Sequence, residues 1–444
     1  MGARSRTGAI RALAVRDRAA AEVALAALMA DLFGLAAEGL AINADQYSLN
    51  SLNGTFDADG RGYFFKFHQE DGEEEMTGEY YRADILARAG LPVDRPLHVS
   101  RLPGEQVLVY ARRDDPRFSD VLFALDRAPD PVAAQACLAA EAALNAHLLA
   151  VAKATLRPIT PGQSRAEPIH RLFYQRLVNP ADGRYPGGRL ARFYLGGRFD
   201  LPGLGTVGWD DIAHLRPVIN GTEHSRSLAG CFDAAHRRLD PDRLADAGGI
   251  VAHGDAHNAN VWYERRATGD RLTLFDPAFA GDAVPALLAE VKATFHNVFA
   301  HPFWLYDPQI AAQHHKAQVS IDGPRLRIDT DWQPNALRRG LLGVKRDSYW
   351  TPWIGHLAAQ GMLPPDWEDV IRLGMFLSPT LVMNLRADAA AAPGTCRQNP
   401  VSSAIGLAVA LAIASRPVTG QDLTTEFFDA ISERVGAGAG RRGT

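Results

Sequence analysis

Residues 253–260 concentrate polar side chains between two apolar flanks. The segment contains two histidines, one aspartate and two asparagines within eight positions. Its short apolar flanks predict strands on either side of a polar loop. A further short strand, Leu272–Phe275, follows a charged turn and leads into Asp276. A hairpin of this kind would carry Asn260 and Asp276 side by side on one wall of a cleft, with Asp255 projecting from the preceding loop.

The residue types at these positions favour chemistry on a phosphate. Asn260 and Asp276 offer one amide oxygen and one carboxylate, which suit a hard divalent cation whose other ligands are water or phosphate. Asp255 lies near enough to accept a proton from an incoming hydroxyl. Together they predict phosphoryl transfer from ATP with Mg²⁺. Taken singly, each of the three also has an ordinary interpretation as a cap or turn residue.

The character of the chain changes along its length. Residues 1–40 are rich in alanine and leucine and predict a helical extension, whereas residues 41–111 predict an antiparallel hairpin or meander with one helix. Residues 112–284 are mainly helical around a small buried hairpin, with a loop-rich insertion at about 157–210, and residues 285–444 are predicted to be helical. Segregation of this kind predicts an α+β protein with two lobes and a cleft between them.

The pattern His253-Gly254-Asp255-x-His257-x-x-Asn260, followed by Asp276, resembles the catalytic signature of the aminoglycoside phosphotransferase and choline kinase-like family. The motif is long and mixed in residue type, which makes it specific. The resemblance implies a bilobal protein-kinase-like fold, with a small β-rich N-terminal lobe and a larger, mainly helical C-terminal lobe. It also implies Asp255 as the catalytic residue and Asn260 and Asp276 as magnesium ligands. His253 and His257 would have supporting roles.

The same resemblance implies an ATP site in the N-terminal lobe at 41–111. Lys66 lies in an aromatic strand and is the only lysine before residue 153. With Glu79 on the following helix it would form an ion pair that presents its ammonium to the α- and β-phosphates. Glu73–Glu75 lie on the same approach, so this acidic run is also explained as a solvated face. The hinge at 107–111 would receive adenine on the backbone of Val109 and Ala111.

Two departures from the family pattern concern the phosphate loop and the acceptor. No glycine-rich phosphate loop is present, and Ser51–Thr55 is the nearest candidate. The regions expected to select the acceptor have no counterpart in the family pattern. Because acidic and basic residues are nearly equal over 285–444, a neutral or modestly charged sugar, nucleoside or amino alcohol is favoured over a polycationic aminoglycoside.

Composition excludes several other classes of protein. The sum of Lys and Arg is 47 against 51 Asp and Glu, without the concentrated basic face of a nucleic-acid binder. Cys137, Cys231 and Cys396 are far apart and predict buried small side chains rather than a disulfide framework or zinc site. No secretory signal and no apolar run long enough to span a bilayer are recognised. We therefore expect a cytoplasmic protein without a membrane partner, whose oligomeric state the sequence leaves open.

Alternative functions remain at this stage. A pseudokinase would use the cleft for nucleotide binding or regulation without catalysis. A metal-dependent hydrolase would use His253, Asp255 and His257 as ligands, which leaves Asn260 without a role. His257 either shapes the loop or approaches the acceptor, and Asp282 either steadies the metal loop or faces the acceptor.

Overall fold

A five-stranded antiparallel sheet forms the first lobe. The computed structural model describes residues 5–43, 51–68, 82–100, 102, 104–391 and 396–440. The sheet has the order β1-β2-β3-β5-β4. Its strands are β1 (Glu38–Ile42), β2 (Ser51–Ala58), β3 (Arg61–His68), β4 (His98–Val99) and β5 (Leu108–Ala111). The tight turn between β2 and β3 is possible because Asp59 and Gly60 adopt positive φ angles of 51° and 70°.

Helices α1 (Arg6–Arg16) and α2 (Arg18–Phe33) pack on one face of this sheet. Leu25 and Leu28 of α2 share a buried core with Phe56 and Phe65 of the sheet. The backbone amide of Thr7 donates to the carbonyl of Gly104 (3.1 Å), which ties the start of α1 to the turn before β5. Helices α1 and α2 therefore share a core with the sheet of the N-terminal lobe.

Helix α3 (Ala83–Arg88) lies between β3 and β4 in the chain and contacts the second lobe. The sequence predicts a helix over 76–89, and of this range residues 76–81 lie outside the described residues. The helix ends before Gly90, whose φ of 90° suits glycine. Leu86 packs into the core of the C-terminal lobe. The chain then runs beside Leu274, whose amide donates to the carbonyl of Pro92 at 2.8 Å, so the lobes are joined beneath the cleft.

The C-terminal lobe has a second, larger core built mainly around helices. Its long helix α5 begins with Asp130 as cap and Pro131 in the first turn. The helices are α4 (Phe118–Arg127), α5 (Pro131–Thr155), α6 (Pro161–Ala166), α7 (Gly188–Phe193), α8 (Trp209–Ile212), α9 (Leu228–Arg238), α10 (Val291–Val298), α11 (Pro308–His314), α12 (Ala336–Lys345), α13 (Thr351–Ala359), α14 (Trp367–Val382), α15 (Pro400–Ala414) and α16 (Leu423–Gly440).

Strands in this lobe form small sheets. They are β6 (Arg198–Leu201), β7 (Gly205–Gly208), β8 (Arg216–Ile219), β9 (Thr222–Glu223), β10 (Gly249–Ala252), β11 (Val261–Glu264), β12 (Arg271–Leu274), β13 (Gly281–Pro285), β14 (Ala317–Asp322) and β15 (Arg325–Thr330). β10 pairs with β13 and β11 with β12, both antiparallel. β6 and β7 form a hairpin inside the predicted insertion at 157–210, which therefore has more regular structure than expected.

A four-stranded sheet with the order β14-β15-β8-β9 lies in segments that the sequence predicts to be mainly helical. Val319, Leu326 and Ile328 alternate along β14 and β15 and are buried, and Gly323 turns the hairpin with a φ of 52°. Parallel pairing of β15 with β8 joins segments about 110 residues apart, a contact that local pattern does not reveal. The prediction that residues 285–444 are mainly helical misses this hairpin. The last helix, α16, continues to Gly440.

One helix in the described part of the chain, α5, is long and apolar enough to cross a membrane by length and composition alone. It is also a core helix: Glu141 on its buried face forms an ion pair with Lys345 (3.0 Å), and its apolar side chains pack in the C-terminal core. The two separate cores, one around a sheet and one around helices, confirm the predicted α+β bilobal fold class.

Candidate functional site

The hairpin β11–β12 brings the ends of the polar loop and of the second strand together. Val261 pairs with Leu274, so the residues just outside the ladder, Asn260 and Phe275, are neighbours. The amide of Phe275 donates to the carbonyl of Asn260 at 3.0 Å. The Asn260 side chain donates from Nδ2 to the backbone carbonyl of Asp255 at 2.9 Å. Asp255, Asn260 and Asp276 therefore meet in one place, as the spacing predicts.

Asp276 adopts an unusual backbone conformation at the end of β12. Its φ is 54°, in the left-handed region, where aspartate is tolerated better than most residues. Such conformations persist where the surroundings impose them and are common at functional sites. Here the turn aims the carboxylate at the other lobe.

His253 braces the loop from inside. The amide of Asp255 donates to its Nδ1 at 3.2 Å, so Nε2 carries the proton and donates to the carbonyl of Phe275 at 2.9 Å. Burial lowers the pKa of His253, which favours this neutral tautomer. Both ring nitrogens are thus engaged with backbone groups. This arrangement steadies the loop and leaves no nitrogen of His253 for a metal.

Asp255 forms an ion pair that the sequence does not predict. Nζ of Lys292, on α10, lies 2.6 Å from Oδ1 of Asp255, with both side chains less than a tenth exposed. Nε2 of His257 lies 3.5 Å from the same oxygen. One sequence signal could have drawn attention to Lys292: the chain has only five lysines, and this one lies in the mostly apolar segment Ala286–Phe295.

His257 shapes the end of the loop. Its Nδ1 accepts a hydrogen bond from the amide of Ala259 at 3.2 Å, and its ring stacks on that of His296 with centroids 4.8 Å apart. Burial lowers the pKa of His257 to about 4, against the opposing influence of Asp255. The imidazole is therefore neutral at pH 7. Of the two roles considered for His257, these contacts describe the shaping of the loop.

Lys66 crosses the cleft between the lobes. It lies in the middle of β3, opposite Asn53 and Leu108, and its ammonium forms an ion pair with Oδ1 of Asp276. The Lys66 side chain is 15% exposed and that of Asp276 is 34% exposed, so the pair borders solvent. The ammonium of the N-terminal lobe therefore lies against the wall that carries Asn260 and Asp276. Glu79, its predicted partner, lies outside the described residues.

Val109, one of the two residues predicted to contact adenine, lies inside strand β5. The carbonyl of Val109 accepts from the amide of Leu97 at 2.7 Å, and the residue lies within the sheet between β3 and β4. Backbone groups alternate sides along a strand, so Ala111 faces the same side as Val109. The register with β4 ends at Val109, and Ala111 therefore lies at the open edge beyond it.

Ser51–Thr55 is not a phosphate loop. The segment belongs to β2, where Gly54 pairs with both Ile42 and Phe65. A Cβ at Gly54 would lie 2.0 Å from the carbonyl oxygen of Ala41 and 2.7 Å from the Phe65 ring, so close sheet packing explains this glycine. The connection between β1 and β2 includes residues 44–50, which lie outside the described residues.

The structure places Asp282 at the surface. Its side chain is 68% exposed, with Oδ1 3.4 Å from Nη2 of Arg157. The Asp282 carbonyl accepts from the same guanidinium at 2.9 Å. The residue therefore joins the end of α5 to β13 at the surface.

The donor set fits magnesium better than zinc. Among the residues that the structure describes, no group of three or more His, Cys, Asp or Glu side chains could hold a metal ion. Asn260 and Asp276 supply only oxygen donors and too few for a complete shell, which suits a cation that keeps water and phosphate ligands. Zinc would need the histidine nitrogens, and those of His253 are occupied by backbone groups. The geometry therefore counts against the hydrolase alternative.

Solved structures of small-molecule kinases are similar to this chain at low identity. A thermostable mutant of aminoglycoside phosphotransferase APH(4)-Ia in its apo form matches with a TM-score of 0.39 and 14% identity, over 93% of this chain and 99% of that one. A microcompartment-associated aminopropanol kinase matches with 0.39 and 13%, over 93% and 99%. An ethanolamine kinase of Plasmodium vivax matches with 0.38 and 10%, over 86% and 95%. No protein-family model and no curated protein matches the sequence.

Proposed function

We propose that this protein is an ATP- and Mg²⁺-dependent phosphotransferase that moves the γ-phosphate of ATP to a hydroxyl group of a small molecule. The observation that carries the proposal is the ion pair of Lys66 with Asp276 across the cleft. It joins a lysine of the sheet lobe to the oxygen donors of the helical lobe. Asp255 lies next to those donors, tied to Asn260 by a hydrogen bond of 2.9 Å.

The nucleotide would lie between the lobes. Lys66 would bind the phosphates, and the edge of β5 at Ala111 would receive the adenine. Asn260 and Asp276 would hold Mg²⁺, which neutralises charge on the β- and γ-phosphates when bound. The resemblance assigns the partner of Lys66 to Glu79, and this pairing stays a prediction.

Asp255 would act on the acceptor. Its carboxylate would orient the acceptor hydroxyl and take its proton as the oxygen attacks the γ-phosphorus. Phosphoryl transfer needs little covalent help from the protein, so positioning and charge neutralisation supply most of the rate. The balanced charge of residues 285–444 favours a sugar, nucleoside or amino alcohol as acceptor over a polycation.

The first test is ADP release from ATP in the presence of Mg²⁺ and a panel of sugars, nucleosides, amino alcohols and aminoglycosides. We expect calorimetry to show Mg²⁺-dependent ATP binding, and at least one acceptor to stimulate ADP release with formation of a phosphorylated product. ATP binding without product from any acceptor would instead support the pseudokinase alternative. Activity that needs zinc and no ATP would support the hydrolase.

A second test concerns the lysine of the N-terminal lobe. Lys66→Met removes the ammonium and keeps the length of the side chain. Hydrogen bonds to charged groups contribute about 1.5–3 kcal/mol, so we expect kcat/KM for ATP to fall by about tenfold to a hundredfold. The KM for the acceptor should change far less. Lys153→Met, at an exposed position near the end of α5, is the matched control and should behave as wild type. An effect confined to the acceptor would contradict the placement of Lys66 at the phosphates.

A further inference from the structure

Helix α10 packs against the loop that carries Asp255. Lys292 pairs with Asp255, and the ring of His296 stacks on that of His257. Asn297 completes the contact, because its Oδ1 accepts from the amide of Asn258 at 2.9 Å. Lys292 and His296 are four positions apart and share one face of the helix, and Asn297 directly follows His296. The face is therefore built to contact the loop.

The ion pair of Lys292 with Asp255 is buried. Side-chain exposure is 7% for Lys292 and 9% for Asp255. Taking two charges out of water costs free energy that their attraction often fails to recover, and an apolar pair would serve folding as well. Stability alone therefore does not account for a lysine at this position. Burial also lowers the pKa of Lys292, opposed by the charge of Asp255.

Which oxygen of Asp255 contacts Lys292 matters for phosphoryl transfer. The Lys292 ammonium lies against Oδ1 of Asp255, at 2.6 Å, and His257 approaches the same oxygen. Two groups on one carboxylate oxygen fix the rotation of the side chain and leave the second oxygen, Oδ2, for another partner.

We propose that Lys292 is a positioning residue for phosphoryl transfer: it holds Oδ1 of Asp255 so that Oδ2 receives the proton of the acceptor hydroxyl. This inference rests on the proposed function. In the step, the acceptor oxygen forms a bond to the γ-phosphorus while the bond from that phosphorus to the β,γ-bridging oxygen breaks. The hydroxyl proton passes to Asp255, and ADP leaves with the electron pair of the broken bond. Lys292 stays protonated throughout and acts only through Asp255.

The test compares kcat with KM in variants of Lys292, using the acceptor that gives the greatest ADP release in the screen above. We expect Lys292→Met to lower kcat by about a hundredfold while KM for ATP changes by less than about threefold. Lys292→Arg should keep more activity than Lys292→Met, because it keeps the charge. In an Asp255→Asn background, Lys292→Met should lower kcat no further, because the two residues act as one unit.

Chemical rescue separates positioning from a merely structural role. Lys292→Ala should regain part of its kcat on addition of ethylamine, which restores an ammonium beside Asp255. Arg372→Met is the control for loss of a buried cation elsewhere: Arg372 is 1% exposed and pairs with Glu368 in α14 at 2.6 Å. It should lower the melting temperature without lowering kcat per folded molecule.

Three outcomes would overturn the inference. Wild-type kcat in Lys292→Met would show that the pair is not needed. Full additivity with Asp255→Asn, or no response of Lys292→Ala to ethylamine, would show that Lys292 does not act through Asp255. These results leave the phosphotransferase standing, because wild-type turnover is measured in the same assay. Absence of turnover by the wild type with every acceptor would instead overturn the proposed function and this inference with it.

Discussion

Replacing Asp255 with asparagine should reduce kcat by about a hundredfold or more, since a positioned general base contributes about 10²–10⁴-fold. The asparagine keeps the shape of the side chain but can neither accept the hydroxyl proton nor carry the charge that pairs with Lys292. KM for ATP should stay within about twofold, because Asp255 contributes nothing to the phosphate contacts assigned to Lys66. Steady-state ADP release against ATP and acceptor concentration measures both quantities.

The controls for Asp255→Asn take account of Lys292, the buried ion-pair partner of Asp255. Removing the carboxylate leaves Lys292 with a desolvated ammonium, so Asp255→Asn should also lower the melting temperature. The double variant with Lys292→Met should recover stability without recovering kcat. Asp282→Asn, an exposed aspartate paired with Arg157, is the matched substitution outside the site and should leave kcat unchanged. Wild-type kcat in Asp255→Asn would remove Asp255 from the mechanism.

The sequence predicts the local part of the site well. Asn260 and Asp276 flank two short strands whose apolar pattern and charged turn are visible in the chain, so their adjacency follows from one hairpin. The hydrogen bond from His253 to the carbonyl of Phe275 is also a contact over a short stretch of chain, because the two residues lie at the ends of neighbouring segments. Short loops and strand pairing leave few alternatives over such distances.

Local sequence pattern does not predict the contacts between segments that are distant in the chain. Lys292 reaches Asp255 only because α10 packs against the loop, and nothing local to either residue marks the pair. The sheet that joins β8 to β15 depends on parallel pairing across about 110 residues, and the end of β5 depends on where β4 stops. Each of these features is fixed by tertiary packing, which overrides or goes beyond local propensity.

Replacing Lys345 with methionine should destabilise the folded protein by about 3–5 kcal/mol, the usual cost of breaking a buried ion pair by removing one partner. Nζ of Lys345 lies 3.0 Å from Oε1 of Glu141 and 2.9 Å from Oε2 of Glu290, and it donates to Oδ1 of Asn145 at 2.8 Å. All three charged side chains are at most 4% exposed. Burial opposes the charge of Lys345, but the two carboxylates raise its pKa above the ordinary value. Methionine would therefore leave two buried carboxylates without a cation.

The pH dependence of this loss separates a charge effect from simple repacking. Burial raises the pKa of Glu290 even with Lys345 present. A carboxyl group with a raised pKa in the folded state favours folding at low pH and opposes it as the pH rises through that pKa. Without Lys345, the ionised carboxylate of Glu290 opposes folding more strongly. The destabilisation measured by urea unfolding should therefore be larger at pH 8 than at pH 5. Lys316→Met, at an exposed position, should change stability by less than about 0.5 kcal/mol. A loss in Lys345→Met that is equal at both pH values would contradict the charge argument and indicate a packing defect alone.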